Sequence, residues 1–263
     1  MKKIYAIAAM LLVVALMPAN QANAQRKIHF GFEVMGGIPL GDYGKFTTFD
    51  NYAAIWHENA QGKTPTEAAA AFSFGLNFRV SYDITYQFSA FGTIGFINSF
   101  VKNAVTDSAE TFLDRYGSAY SFDNLNIFNI PIMFGGRYNI YLANNFGFFG
   151  EAGIGINFRQ LGDITIVETR TVYDVETGRY YSSMEEKNTP KTGVGFAFQI
   201  GAGLQLGKTM SLGIYYLNLG TGDVKYDQTQ TLYGTYDNLV RNREVTAGKI
   251  TQQMLAIRLG FMF

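Results

Sequence analysis

MLAIRLGFMF, residues 254–263, sets Leu255, Ile257, Leu259, Phe261 and Phe263 against Met254, Ala256, Arg258, Gly260 and Met262. The period is two, so the stretch reads as a strand with two unlike faces. One face is large and apolar; the other is small, flexible or charged. Residues 28–35, 71–82, 86–96, 125–138, 146–158, 193–206 and 210–217 repeat the pattern. In 71–82, Phe72, Phe74, Leu76, Phe78, Val80 and Tyr82 oppose Ser73, Gly75, Asn77, Arg79 and Ser81. The 86–96 stretch is less regular, because Phe91 falls on the polar face.

The connections alternate between long and tight. Residues 36–70, 97–124, 159–192 and 218–252 read as long loops, whereas Asp83–Thr85, Asn139–Asn145 and Gly207–Thr209 read as short turns. Long loops at one end and tight turns at the other describe an antiparallel meander of the outer-membrane type. The expected fold is all-β: an eight-stranded, antiparallel, up-and-down transmembrane barrel with four long extracellular loops and three short periplasmic turns. Ile164 and Ile166 keep the alternation within the third long connection, and Asp174–Arg179 with Gly178 reads as a hairpin turn. The fifth and sixth strands should therefore project past the membrane as a hairpin. Thr64–Glu67 before a run of alanines is either a capped helical turn or an early start of the second strand.

Of the 21 acids, all but Glu33, Asp83 and Glu151 fall in the long connections. The strands keep Glu33, Arg79, Arg137, Glu151 and Arg258, each on the face opposite the phenylalanines. A charge facing lipid at mid-membrane costs roughly 2–4 kcal/mol, so these five should point into the lumen. Glu33 and Arg258 lie at similar heights on the two strands that must close the ring, with Arg79 beside Glu33 and Arg137 beside Glu151. The expectation is a lumenal ion-pair network, Glu33 with Arg258 and Arg79 and Glu151 with Arg137 or one of the others, that plugs the barrel. Glycines 153, 155, 195, 201 and 203 lie on the same face and leave room for arginine and tyrosine opposite. Tyr82, Tyr86, Tyr138, Tyr141 and Phe146 gather at the short-turn ends, where amphipathic rings form a girdle at the membrane–water boundary.

Residues 1–24 follow the plan of a secretory signal peptide: Lys2 and Lys3, an apolar run from Ile4 to Met17, and Ala22-Asn23-Ala24 before Gln25. The run is shorter than the roughly 20 residues a spanning helix needs. Residues 25–263 then form one domain, with no linker dividing them. There is no cysteine, which excludes disulfides and thiolate metal sites. Without Lys2 and Lys3, the bases fall two short of the 21 acids, so nothing in the charge points to nucleic acid.

No motif indicates a catalytic, metal or cofactor site. GAGLQLG, residues 201–207, lies inside a strand with no helix after it, so it fails the structural test of a nucleotide-binding loop. His29 and His57 are the only imidazoles, and no triad or zinc spacing surrounds either. Glu185-Glu186 lacks calcium-loop spacing.

The leader, IHFGFEVMGGIPLGDYGKF from Ile28, FNIPIMFGGRYNI from Phe128, FGFFGEAGIGINF from Phe146 and the terminal LGFMF together resemble the porin-like outer-membrane β-barrel domain family, related in architecture to the OmpX and OmpA barrels. The resemblance covers the whole chain after the leader. It implies a non-enzymatic integral outer-membrane protein surrounded by outer-membrane lipid and lipopolysaccharide, with extracellular loops serving binding, adhesion or structure. A narrow porin-like channel is the alternative. It also implies that Phe261 and Phe263 act as the signal read by the barrel-insertion machinery, although Gly260 stands two residues nearer the end than the family's usual glycine. No extracellular ligand is legible.

Overall fold

The computed structural model describes residues 28–53, 67–109, 118–122, 124–143, 146–169, 171–207 and 209–263. The expected leader, His57 and residues 64–66 lie outside them. Thirteen strands are described: β1 (Ile28–Leu40), β2 (Ala70–Asp83), β3 (Phe88–Val101), β4 (Ser118–Phe122), β5 (Ile127–Ala143), β6 (Phe146–Gln160), β7 (Ile164–Glu168), β8 (Val172–Asp174), β9 (Arg179–Tyr181), β10 (Ser183–Pro190), β11 (Gly193–Leu206), β12 (Met210–Tyr233) and β13 (Asn238–Met262). A 3-10 turn, Gly41–Tyr43, and a short helix α1 (Phe49–Ala53) follow β1.

Eight of the strands form a ring in which every neighbour is antiparallel: β1, β2, β3, β5, β6, β11, β12, β13 and back to β1. Burial around it is inverted relative to a soluble protein. On β2, Phe72, Phe74, Leu76 and Val80 are exposed, while Ser73, Asn77, Arg79 and Ser81 are buried. Exposed apolar residues covering the outside and buried polar ones lining the inside are what hydrocarbon as solvent demands.

The strands run further than the alternation alone suggested. β1 continues to Leu40, and β5 and β6 leave only residues 144–145 between them, so the expected turn from Asn139 is largely strand. The largest correction concerns residues 218–252. They are not a loop: β12 and β13 continue as a paired hairpin whose turn is closed by the Gly234 amide donating to the Asp237 carbonyl. The charges there suggested loop, yet beyond the hydrocarbon a strand can carry Asp223, Lys225 and Asp227 on its outer face while Val224 and Tyr226 are buried on its inner one.

The projecting hairpin is likewise part of something larger. β10 pairs with β12 in the register β11 already holds, and β7 pairs with β10 in the register of β6 with β11. With β4 added beyond β7, the order β4-β7-β10-β12-β13 makes a five-stranded wall rising from one side of the ring. Where β12 leaves the ring its register slips at Asn218/Gly220 and again at Asp223/Lys225; Gly220, at φ 95°, allows the first bend. The expected turn before Arg179 is present, with Gly178 at φ 66° and β8 paired to β9.

Residues 41–53 and 102–109 fold over the mouth on the wall's inner side. Tyr43, Phe49, Tyr52 and Val105 belong to one buried cluster with Ile164, Ile166, Tyr226, Val245 and Ile250. The Phe49 and Tyr120 rings meet edge-on at 4.8 Å. Each such buried side chain contributes roughly 1.5–3 kcal/mol, so this second core holds the connections down as a cap. Glu67 clasps the first connection. It accepts from the Thr47 amide at 2.6 Å and hydroxyl at 2.7 Å and pairs with Lys45 at 3.2 Å. Residues 67–69 are not helical, and the second strand begins at Ala70.

Candidate functional site

Alternation sends Glu33 of β1, Arg79 of β2, Arg137 of β5, Glu151 of β6 and Arg258 of β13 into the ring, where each is almost wholly buried. Four of them close a cycle. Arg79 Nη1 lies 2.8 Å from Glu33 Oε1 and 2.9 Å from Glu151 Oε2, while Arg258 Nη1 lies 3.1 Å from Glu33 Oε2 and 3.7 Å from Glu151 Oε1. Each guanidinium bridges both carboxylates, and each carboxylate uses both oxygens. Gln199 ties the cycle together, donating to Glu151 and accepting from Arg258 at 3.1 Å each. Asn77 donates to Glu33 at 3.2 Å.

Arg137 stands outside the cycle, 3.8 Å from Glu151 Oε2, and donates to Gln205 and Asn139. The five groups therefore carry one positive charge in excess. Each guanidinium also covers a ring: Arg79 over Phe91 at 4.0 Å, Arg137 over Phe149 at 3.6 Å and Arg258 over Tyr215 at 4.0 Å. Those rings fit because glycines face them. A Cβ on Gly201 would lie 2.2 Å from Tyr215, and one on Gly135 would lie 2.6 Å from Phe91. Phe91, irregular in the sequence pattern, is the platform for Arg79.

Above this charged layer lies a neutral one. Asn157 donates to Asn129 at 2.8 Å, to the Leu219 carbonyl at 3.1 Å and to Gln252 at 3.3 Å. Tyr43 descends from the cap to meet it: its hydroxyl donates to Ser99 at 2.6 Å and accepts from Gln252 at 3.3 Å. No periodic signal marks Tyr43, which sits in the turn after β1. The alternation alone does not reach Arg159, because residues 159–192 read as a long loop. Arg159 continues the inward series of Glu151, Gly153, Gly155 and Asn157, and it donates to the carbonyls of Ile250, Gly222 and Asp223 at the bend of β12.

The remaining predicted residues lie at the short-turn end. Tyr82, Tyr86, Tyr138 and Tyr141 are exposed there, and Phe146 is half-buried. Tyr86 and Tyr141 pack at 4.8 Å, and Tyr138 donates to Gln87 at 3.0 Å. Phe261 stacks on Phe32 at 5.0 Å, and Phe263 is exposed with its amide donating to the Phe30 carbonyl. His29 meets Asp83 at 2.8 Å, and Ser81 lies opposite His29 in register. The Ser81 hydroxyl accepts from Arg79 instead, so the trio does not assemble a nucleophile. Among the described residues no three His, Asp or Glu side chains are placed to hold a metal ion.

A family model described as the outer membrane protein beta-barrel domain matches residues 6–263. Curated proteins yield no match. Among solved structures, the chain is similar to a major outer membrane protein of Thermus thermophilus, at 10% identity over 90% of this chain and 100% of that one, with a TM-score of 0.43. It is similar to the N-terminal beta-barrel domain of Pseudomonas aeruginosa OprF at 8% identity over 89% and 97%, with a TM-score of 0.34. Similarity to Ail, the attachment invasion locus protein of Yersinia pestis, is 9% over 90% and 96%, with a TM-score of 0.30.

Proposed function

The chain belongs to the outer membrane protein beta-barrel domain family and resides in the bacterial outer membrane; from this premise we propose that it is a plugged, non-enzymatic barrel whose work is done by its projecting end. The observation that carries the reading is the filled interior. The charged cycle, the amide layer under Tyr43 and the apolar cap succeed one another along the axis. Each obstructs a water path, and the cycle would expose uncompensated charge if it parted.

With the interior occupied by its own side chains, the barrel serves as an anchor, and the wall serves as a surface for binding or adhesion. The long connections face outward and the three tight turns face the periplasm, the arrangement of outer-membrane barrels with short periplasmic turns and long extracellular loops; the girdle of Tyr82, Tyr86, Tyr138 and Tyr141 lies at the turn end. In this orientation Phe261 and Phe263 lie at the periplasmic rim, where the insertion machinery would meet them. Outer-leaflet lipopolysaccharide surrounds the base of the wall.

The chain has no cysteine, so a single one at Thr177 reports sidedness cleanly. A membrane-impermeant maleimide should label Thr177→Cys on intact cells. In liposomes the protein should leave the swelling rate in small sugars at the level of protein-free vesicles. Swelling that scales with protein content would contradict the plug.

A further inference from the structure

The two ends of the ring are closed to different depths. At the long-connection end the apolar cap and the amide layer under Tyr43 seal the interior. From the short-turn end, the exposure of inward side chains falls in steps, from 46% at Asp83 and 32% at His29 to 7% at Arg137 and 0% at Glu151. Water therefore enters from that side and stops at Arg137, beside the charged cycle. The space is a blind vestibule, and alternation lines it with Ser81, Ser89, Asn139, Gln205 and Ser211, all neutral and polar.

Its inner end has more donors than acceptors. Arg137 commits Nε to Asn139 and Nη2 to Gln205, but its Nη1 meets no hydrogen-bond acceptor among the described residues. Glu151 Oε2 lies 3.8 Å from that nitrogen and is already held by Arg79 at 2.9 Å. The Asn139 side-chain oxygen accepts from Arg137 at 2.9 Å, so its amide nitrogen is left as a second donor without an acceptor among the described residues. Ser89 stands opposite Arg137 in register, which sets their Cβ atoms about 5 Å apart, and its hydroxyl likewise has no partner there. Gln205 cannot turn to answer them, because the Gly207 and Met210 carbonyls hold its amide nitrogen at 3.0 Å each. Charge points the same way. The cycle balances two guanidiniums with two carboxylates, so the surplus positive charge of the interior is that of Arg137. Asp83, the acid nearest the mouth, is bound to His29 at 2.8 Å and is screened by water. A cation beside three unanswered donors, nine-tenths buried, is the recognition chemistry of an anion whose oxygens can accept from all three. The small exposure of Arg137 limits that anion to a few atoms.

We propose that the vestibule binds one small monovalent oxyanion, a carboxylate or inorganic ion drawn from the periplasm, on Arg137, Ser89 and Asn139. The periplasmic source rests on the orientation given above; the site itself does not.

The test uses the full protein in non-ionic detergent micelles and, as probe, isotopically labelled formate. The formate resonance should broaden with protein, and the broadening should saturate at one ion per chain. Asn139→Asp gives Arg137 a carboxylate of the same size, and should weaken binding at least tenfold while heat-modifiable migration, a readout of the folded barrel, is retained. Arg137→Gln should weaken it as much, whereas Lys191→Gln, which removes a cation of the wall, should leave it unchanged. Broadening that does not saturate in the parent, or that survives Asn139→Asp, would overturn the proposal. An equal loss in Lys191→Gln would overturn it too, by showing attraction to net charge alone. Displacement of formate by an equal concentration of chloride would overturn the assignment to an oxyanion. Labelling of Thr177→Cys only after the outer membrane is permeabilised would overturn the periplasmic source, a separate failure.

Discussion

Glu33→Gln is the sharpest perturbation of the charged cycle, because it removes a charge and almost no volume. In the parent, Glu33 holds Arg79 at 2.8 Å, Arg258 at 3.1 Å and Asn77 at 3.2 Å. In the variant, Glu151 is left to balance Arg79, Arg137 and Arg258. Arg79 retains its 2.9 Å partner there, whereas Arg258 retains as counter-charge only the 3.7 Å contact, beside its neutral bond to Gln199 and the Tyr215 ring. Arg258 is therefore the group left uncompensated. Removing one partner of a buried pair costs about 3–5 kcal/mol; one retained amide oxygen places this variant near the lower end. A loss of about 3 kcal/mol is more than 100-fold in the folding constant. Glu185→Gln is the comparison, since a glutamine there can still accept from Tyr233, and it should stay within about 0.5 kcal/mol of the parent. Urea titrations in lipid vesicles, read by gel migration of folded and unfolded forms, give both numbers. Adding Arg258→Met to Glu33→Gln should recover more than about 1 kcal/mol, because the stranded charge goes with it. Equal losses at positions 33 and 185 would refute the cycle as a stabilising unit and leave each charge separately hydrated.

Other expectations follow from the same contacts. Gly201→Ala drives its methyl into Tyr215 and should cost about 1–3 kcal/mol, whereas a Cβ on Gly150 meets nothing within 4 Å and Gly150→Ala should be tolerated; the same titrations compare them. Burial pushes the Glu67 carboxyl up, but the bonds from Thr47 and Lys45 outweigh it and leave the group below its ordinary 4.5. A lowered folded value means the clasp is fully stabilising above about pH 4.5 and is lost as pH falls through that lowered value, so pepsin should cut residues 41–53 faster as pH drops and Glu67→Gln should flatten the response. Excising residues 172–181 should leave migration and protease resistance unchanged, while excising 164–190 removes buried Ile164 and Ile166 and should open the cap to protease. Deleting Phe263 should lower outer-membrane yield far more than the 172–181 excision, as measured by membrane fractionation.

The ring was legible because lipid imposes a strict rule: an alternation such as Phe72, Phe74, Leu76 against Ser73, Asn77, Arg79 has one stable orientation. The same rule sent Glu33, Arg79, Arg137, Glu151 and Arg258 to one side. Strand order and height pair Glu33 with Arg258 and Arg79, as the structure has them, but leave the partner of Glu151 open. Glu151 meets Arg79 more closely than its strand neighbour Arg137, since side chains cross a narrow interior freely. Beyond the hydrocarbon the rule lapses. Val224 and Tyr226 alternate with Asp223, Lys225 and Asp227 as they would on any wet sheet, a signal that the density of charge there masks. Arg159 and Tyr43 lie at that boundary, and neither was visible for that reason. The cap depends on contacts between distant connections, such as Phe49 with Tyr120, for which periodicity carries no information.

Single-channel recording from the purified protein in a planar bilayer tests the plugged interior most directly. The account predicts rare, brief steps with no sustained open level. A stable open conductance in the parent protein, unchanged by Glu33→Gln, would contradict it.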